Sequence, residues 1–465
     1  MGEDFRGFLK EMEETKEGGF IRISKEVDTR YEVSAIVTKL EKARQIPLLF
    51  FEKVKGHTMP VVVNCYADRG RLARAIGVSK QELNQRVAQA YQKPIPPVEV
   101  SKAPVQEVVI QGAQVDVGKL PAMVYHNTDA APYITAGIVL AKDPDTGDYN
   151  LSYNRLMVKG KNRLGIFMTV GKHLNAIFSK MEDRGKPLEV AVSIGNHPAW
   201  AIGSLAIGPY QENEIGIIGG LKGSPLEMVR CKTVDLMVPA GAEIILEGEI
   251  EPFVREEEGP FGEFTGYAIH SAQNPIFRVK AITHRYNPIY QDICGGQHRE
   301  HLTMATIPME ANYFRVIKGS VPEVEAVRMA APFTLVISLR KKYEGQARSA
   351  LLAAFSADLY LKHAIVVDHD IDVADLQRVF WAMATRVQAS RDIFIIPRAR
   401  GSSLDPSAEP LGVVDKMGID ATAKPSLERF ASVNRVPQEI MDRIKLEDYI
   451  GDFLKSTKPG KKGYV

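Results

Sequence analysis

The sequence predicts a mixed α/β (α+β) protein in three successive parts: an N-terminal α/β unit, a central strand-rich barrel, and a C-terminal α/β domain ending in a helix. Three observations predict it. A chain of 465 residues, 45% of them hydrophobic, can bury a large core, and at about 150 residues per domain it divides into two or three. From about residue 119 to 305 short apolar runs follow one another with few long helical patterns, which suits a barrel and equally a sandwich. From about 310 to 430 buried strands alternate with helical segments, as in an α/β sheet.

The first part runs to about residue 118. Phe5, Phe8, Leu9 and Met12 fall at helical spacing, as do Val33, Ile36, Val37 and Leu40, each set making one apolar face. Pro47–Phe51 and Val61–Tyr66 read as strands, and Ser79 followed by Glu82 reads as a capping box. Pro94, Pro96, Pro97 and Pro104 mark an extended linker before the first boundary. In the second part, 119–305, the strand candidates begin with Tyr133–Ala141. Leu151–Val158 and Leu164–Val170, joined through Lys159-Gly160-Lys161-Asn162, read as a hairpin. Leu188–Ile194, Glu243–Glu249, Ile276–His284 and Pro288–Ile293 complete the series. In the third part, 306–435, the expected strands are Thr334–Leu339, Ala364–Val367 and Ile393–Ile396, with helices over Glu344–Phe355 and Val373–Ala384. The tail, 436–465, places Ile440, Met441, Ile444, Tyr449, Ile450 and Phe453 on a helix suited to docking on a partner subunit or on its own domain. The end, from Lys455 to Val465, is expected to be loose.

Charge excludes some classes of function. Fifty-nine basic and 57 acidic residues give no basic stripe for nucleic acid. No run of about 18 apolar residues exists to span a bilayer. Met1-Gly2-Glu3-Asp4-Phe5-Arg6 is acidic, unlike a secretory leader, and lacks the Ser or Thr of a myristoylation signal at position 6. Cys65, Cys231 and Cys294 show no paired metal-ligand spacing. The chain reads as a soluble cytoplasmic protein.

The stretch Glu256-Glu257-Glu258-Gly259-Pro260-Phe261-Gly262-Glu263-Phe264-Thr265-Gly266-Tyr267 sets Glu258 and Glu263 on either side of a turn with few conformational choices. Two such acids can share a pocket and oppose each other's ionisation, which suits a proton donor; an acidic surface turn is the plainer reading. In Asn150-Leu151-Ser152-Tyr153-Asn154-Arg155, strand alternation separates Asn150, Ser152 and Asn154 from Leu151, Tyr153 and Arg155. Asn and Arg in a strand ordinarily mark an exposed face. Gly171-Lys172-His173 sits at a strand-to-helix junction, where a helix N-terminus suits phosphate. Glu214 opens an apolar, glycine-bearing run.

These segments, in this order and at nearly these separations, resemble the UbiD family, decarboxylases that use prenylated flavin mononucleotide. The resemblance implies a central split β-barrel that binds the flavin. It puts Arg155, Glu258 and Glu263 at a catalytic network in which Arg155 orients the substrate carboxylate, Glu258 holds Arg155, and Glu263 delivers the proton that replaces carbon dioxide. It puts Asn150, His173 and Glu214 around a divalent metal, Mn2+ (or Mg2+), at the flavin phosphate. It places Tyr153 and Asn154 against the flavin, Ser204 near the phosphate and a K+ ion, and Lys416 at the phosphate from the C-terminal side. Leu205, Ala206 and Ile207 are more apolar than in some relatives, so contacts there would be mainly backbone. His126–Thr135 also matches the family, with no chemical role assigned. Gln297, His298, Arg299 and His301 lie where substrate contacts vary and favour a polar acid; a solvated loop is the alternative.

The resemblance implies a reversible, non-oxidative decarboxylase of an aromatic, heteroaromatic or α,β-unsaturated acid. Furan- or pyrrole-type acids and hydroxybenzoates are preferred to the polyprenyl-hydroxybenzoate of quinone synthesis. A flavin prenyltransferase is implied as cofactor supplier, and a homodimer or hexamer of dimers as the assembly. A non-catalytic flavin-binding protein would have no need of Arg155 with both acids, and an acid–base hydrolase would leave the metal trio unused.

Overall fold

The computed structural model describes residues 2–15, 19–208, 213–424 and 433–456. They form two compact units, 1–422 and 423–465.

The centre of the larger unit is a nine-stranded antiparallel sheet. Its strands run in the order Tyr133–Ile134, Leu156–Gly160, Arg163–Ile166, Ala272–His284, Ile244–Glu258, Leu188–Ile194, Ile138–Lys142, Tyr149–Tyr153, with Val108–Gln111 added on Ala272–His284. Chain connectivity forces this sheet to curl. Residues 154–155 link the last strand of the path to the second, and residues 135–137 link the first to the seventh. In a flat sheet six strand spacings would separate each pair by about 29 Å; the three and four Cα steps of the two links reach about 11 and 15 Å. The two ends therefore meet at a seam crossed twice by short links and not closed by a strand ladder, so the sheet is a split barrel rather than a sandwich. The expected strand Leu151–Val158 is broken at Asn154-Arg155 for this reason. The expected hairpin forms from its second half, Leu156–Gly160 paired with Arg163–Ile166.

Alternation fills the barrel. Val190, Val192 and Ile194 join Leu246, Ile250, Phe277 and Val279 in one buried cluster. The helix His173–Asp183 seals it with Leu174, Ile177 and Phe178. Outside, the N-terminal helix Phe5–Thr15 buries its four predicted residues in a second cluster. That cluster also holds Leu140 and Leu151 of the barrel and Ile215, Ile218 and Leu221 of the helix Glu214–Lys222. A four-stranded sheet combines Ile21–Ile23, Leu49–Phe51 and Val61–Val63 with Tyr290–Gln291 from beyond the barrel. The predicted capping box forms, with reciprocal bonds between Ser79 and Glu82 of 2.9 and 3.4 Å.

The 22-residue helix Arg299–Ser320 leads onward. Its first half, through Met304, Ile307 and Ala311, packs in the N-terminal cluster, and its second half, through Tyr313 and Ile317, packs in a C-terminal one. Buried Glu310 meets Arg69 at 2.8 Å. The C-terminal sheet is mixed, in the order Val324–Ala331, Thr334–Leu339, His363–Asp368, Val413–Ala421, Ile393–Arg400. Gln346–Ala357 covers one face and Leu376–Arg386 the other, both within a few residues of expectation.

The smaller unit contributes helices Gln438–Arg443 and Leu446–Ser456, with Met441, Ile444, Tyr449 and Ile450 exposed. The Phe453 side chain and residues 457–465 lie outside the described residues.

Gly137, in one of the seam links, leaves no room for a side chain: a Cβ there would lie 2.6 Å from Cγ1 of buried Val192. G137A is expected to lose about 1–3 kcal/mol by overpacking. Urea titration should show a lower midpoint at an unchanged slope; an unchanged midpoint would mean that the seam is looser than described.

Candidate active site

Three elements bring the charged centre together. The strand Ile244–Glu258 ends on Glu258. After Gly259, whose φ of 96° suits only glycine, and Pro260, a two-stranded ribbon pairs Phe261–Gly262 with Ala268–Ile269 and carries Glu263 in its loop. Arg155 comes from the seam link. Its Nε and Nη2 donate to Oε1 and Oε2 of Glu258 at 2.9 and 2.8 Å, and its Nη1 donates to Oε1 of Glu263 at 2.5 Å. The guanidinium stands 4.3 Å from the ring centre of Phe167 and 5.1 Å from that of Phe261, so aromatic faces supplement the two carboxylates. Burial alone would lower the arginine's pKa, but the hydrogen bonds and charge of Glu258 outweigh it and raise it. Arg155 is buried here, not on the exposed face that an arginine in a strand ordinarily marks.

The two acids are held differently. Glu258 is fully buried, and its Oε2 also accepts from Asn274 Nδ2 at 2.9 Å, so both its oxygens are fixed. Glu263 meets Arg155 through Oε1 and lines a cavity of about 220 Å³ that Glu258 does not reach. Arg155, Tyr153, Asn154 and His301 also line it, among the aromatic rings of Phe167, Phe261 and Phe264. Asn154 is fixed at both ends of its amide, accepting from Ser152 Oγ at 2.7 Å and donating to the Phe167 carbonyl at 2.8 Å.

Asn150 lies on the strand Tyr149–Tyr153, and the helices that begin at His173 and Glu214 both pack against that strand. Asn150 and Glu214 are buried, and among the described residues Asn150 Nδ2 has no hydrogen-bond partner. His173 is pushed below the ordinary imidazole value by burial and then by the Lys172 charge, which keeps the ring neutral and able to coordinate. A neutral nitrogen with amide and carboxylate oxygens fits a hard divalent ion with positions left for phosphate and water.

Ser204 caps the helix Pro198–Gly203 and donates its hydroxyl to the Trp200 carbonyl at 2.6 Å. Lys416 is buried and donates to the carbonyls of Leu359 and Leu361, both at 2.8 Å. The ring of Tyr360 between them lies 4.8 Å from Lys172 Nζ, which relates Lys416 to the His173 junction through one loop.

The segment 297–301, which runs into the first turn of the helix Arg299–Ser320, divides. His301 lines the cavity, with its Nδ1 3.2 Å from the Gly296 carbonyl. His298 is buried against Glu41, 3.2 Å away, while Gln297 and Arg299 are exposed. Sequence reasoning passed over Phe167, Phe261 and Asn274, and it also passed over Asp292. That fully buried carboxyl accepts from Tyr125 Oη at 2.6 Å and lies 3.2 Å from Oγ1 of Thr135, itself in the cavity wall. Only Phe261 lay inside a motif that could have drawn attention to it.

Comparison with known proteins agrees along the whole chain. Three family profiles match in order: the 3-octaprenyl-4-hydroxybenzoate carboxy-lyase N-terminal domain over residues 12–91, its Rift-related domain over 97–298, and its C-terminal domain over 302–421. An anhydromevalonate phosphate decarboxylase of Methanothermobacter thermautotrophicus is 35% identical over 418 residues, 89% of this chain and 96% of that one. The UbiD-class enzyme HmfF of Pelotomaculum thermopropionicum, solved in complex with FMN, is 43% identical with a TM-score of 0.89, covering 96% of this chain and 100% of that one. An evolved dimeric form of it, solved with prFMN, is 40% identical with a TM-score of 0.85 over 96% and 99% of the two chains. The vanillic acid decarboxylase of Sedimentibacter hydroxybenzoicus, in closed form, is 31% identical with a TM-score of 0.86 over 98% and 99%.

Burial raises Asp292 from an ordinary 3.8 to about 7 against the hydrogen bonds of Tyr125 and Thr135. Between pH 4 and 7 the folded chain therefore holds a proton there that the unfolded chain has lost. Its contribution to stability is full below pH 4, falls as pH rises through that window, and changes no further above 7. The fall is on the order of 4 kcal/mol. Denaturation of D292N should lack this slope relative to the parent protein; identical pH profiles would refute the assignment.

Proposed function

The chain belongs to the UbiD family of decarboxylases, and from that premise we propose that it removes carbon dioxide, reversibly and without net oxidation, from an aromatic or heteroaromatic acid on prenylated FMN. The observation that carries the reading is the unequal grip of Arg155 on two acids, of which Glu263 alone lines the cavity.

Three of the five guanidinium N–H groups of Arg155 go to Glu258 and Glu263, leaving one on Nη1 and one on Nη2 for a substrate carboxylate. Glu258, fixed by Arg155 and Asn274, keeps the guanidinium plane from turning. Glu263 presents Oε2, the oxygen not engaged by Arg155, to the carbon that has lost the carboxyl group and delivers the proton there; in the reverse direction the same oxygen removes it. Phe167, Phe261 and Phe264 exclude water and offer flat surfaces to a flat substrate. Prenylated FMN, when bound, supplies the sink for the electrons left behind as carbon dioxide departs. Tyr153 and Asn154 would lie against it. Asn150, His173 and Glu214 would hold Mn2+ or Mg2+ at its phosphate, with Ser204 and a K+ ion close by. Lys416, lodged on the Leu359 and Leu361 carbonyls, would add positive charge on that side. A flavin prenyltransferase would supply the cofactor, and the working assembly would be a homodimer or a larger set of dimers, as one relative's dimeric form supports.

The lining also favours a substrate. Among the described residues Arg155 is the sole cation in the cavity wall, which disfavours a phosphorylated acid. Burial holds His301 below the ordinary imidazole value, so its ring is neutral. The Gly296 carbonyl can only accept, so Nδ1 carries the proton and Nε2 the lone pair. A substrate that bonds to Nε2 supplies a donor, as a phenol or a pyrrole N–H does and a furan oxygen does not. Hydroxybenzoates and pyrrole-type acids therefore stand ahead of furan acids, and a cavity of about 220 Å³ favours them over a polyprenyl-hydroxybenzoate. Gln297, His298 and Arg299 would act on this wall only indirectly.

E263Q, loaded with prenylated FMN, is expected to retain flavin and lose turnover by about 100-fold or more. A panel of acids followed by carbon dioxide release measures both points. Full activity in the variant would remove Glu263 as the donor, and turnover confined to the polyprenyl acid would overturn the substrate class.

A further inference from the structure

We infer that the turn His126–Asp129 positions the proton donor: Asp129 fastens the ribbon that carries Glu263, and the His126 ring spaces that ribbon from the backbone at Gly296. The inference deepens the proposed function and rests on it for the role of Glu263.

Asp129 is buried. Its Oδ1 accepts from the backbone N–H of Gly262, the residue before Glu263, at 3.0 Å. Its Oδ2 accepts from the backbone N–H groups of Tyr125 and His126 at 2.9 and 2.8 Å. One residue on, the N–H of Ala130 donates to the Pro260 carbonyl at 3.0 Å. The ribbon is thus tied on both sides of Phe261, whose ring faces Arg155 and lies 4.5 Å from that of Tyr133. Burial raises the Asp129 pKa, but the His126 ring, with its Nδ1 3.6 Å from Oδ2, and the bonds from the His126 and Gly262 amides outweigh it and keep it below the ordinary carboxylate range. Three N–H groups converging on two oxygens call for a carboxylate; an amide in its place would turn an NH2 toward one of them.

The His126 ring fills the gap between two backbones. A Cβ on Gly262 would lie 2.5 Å from His126 Nδ1, and one on Gly296 would lie 2.7 Å from Cε1. Gly296 gives its carbonyl to His301 and follows Gly295 in the cavity wall. Glu263 follows Gly262 and His301 is bonded to Gly296, so the same imidazole packs on the backbone that leads to both. Glycine at 262 and 296 is required by this close approach as well as by the φ of 83° at Gly296.

The test is D129N, read in two ways. In flavin-free protein, hydrogen–deuterium exchange of the peptide spanning residues 259–267 should quicken at least tenfold while exchange in the barrel strands stays the same. In protein loaded with prenylated FMN, kcat should fall by about 100-fold, as a misplacement of about 1 Å can cause, with KM within twofold and flavin content unchanged. Unchanged exchange at Gly262, or a loss of activity matched by loss of flavin, would overturn the inference. Should D129N not fold, H126A removes the spacer and should lower kcat with flavin content unchanged, and H126F, which keeps a ring there, should restore most of it; kcat in H126A equal to that of the parent would overturn the spacer role. The exchange measurement uses no substrate, so a parent protein that decarboxylates nothing while D129N still loosens the ribbon would fault the proposed function and leave the fastening intact.

Discussion

The structure depends on how a guanidinium is kept charged inside a barrel wall. Arg155 sits where the chain has only two residues in which to pass from one end of the curled sheet to the other, so its backbone has little freedom, and its side chain lies between Phe167 and Phe261. A buried cation needs partners in good geometry, and removing one partner of such a pair typically costs about 3–5 kcal/mol. Glu258 supplies the bidentate half and Glu263 the single contact. The strand, the turn and the seam that carry these residues are each held by the ion cluster as much as they hold it.

That constraint divides the site into a fixed side and an adjustable side. Glu258 is gripped by Arg155 and Asn274 at the end of a strand fifteen residues long, which pairs with Ala272–His284 over residues 244–250 and again over 255–258. Glu263 stands beyond it, on a ribbon of two residues a side, where outside ties decide its position. The proposed decarboxylation would make unequal demands on the two acids, since one would keep the arginine plane and the other would give up and recover a proton. Unequal anchoring answers those demands. The aromatic rings do two jobs here, covering the cation and leaving a flat, dry surface beside it.

Much of the fold was legible in the sequence where one physical signal dominated. Leu188–Ile194 and Thr334–Leu339 form as expected because both strands are buried on two faces and are mainly apolar, with only Glu189, Ser193, Thr334 and Ser338 polar. The strand expected to end at Glu249 continues to Glu258 because its polar stretch is balanced across the ladder, with Glu249 against Lys280 and Glu251 against Arg278. Hydropathy cannot register such compensation. Barrel and sandwich were indistinguishable by alternation, since the curl comes from link length and strand order together. At the site, the acid turn was visible as a turn and two acids, but nothing in the pattern around Arg155 separated a buried arginine from an exposed one. Family resemblance supplied that residue. Asn274 bonds to Glu258, 16 positions away, and Asp129 to Gly262, 133 positions away, and no local pattern encodes such a contact.

The molecule that this barrel holds decides most directly between a decarboxylase and any other reading of the site. Protein produced together with a flavin prenyltransferase, purified and denatured, would release its ligand for mass and absorbance analysis, with metal measured on the same sample. Prenylated FMN accompanied by manganese is the expected result. A protein that emerges empty, or with unmodified flavin alone under those conditions, would contradict the reading of Arg155, Glu258 and Glu263 as a decarboxylation centre.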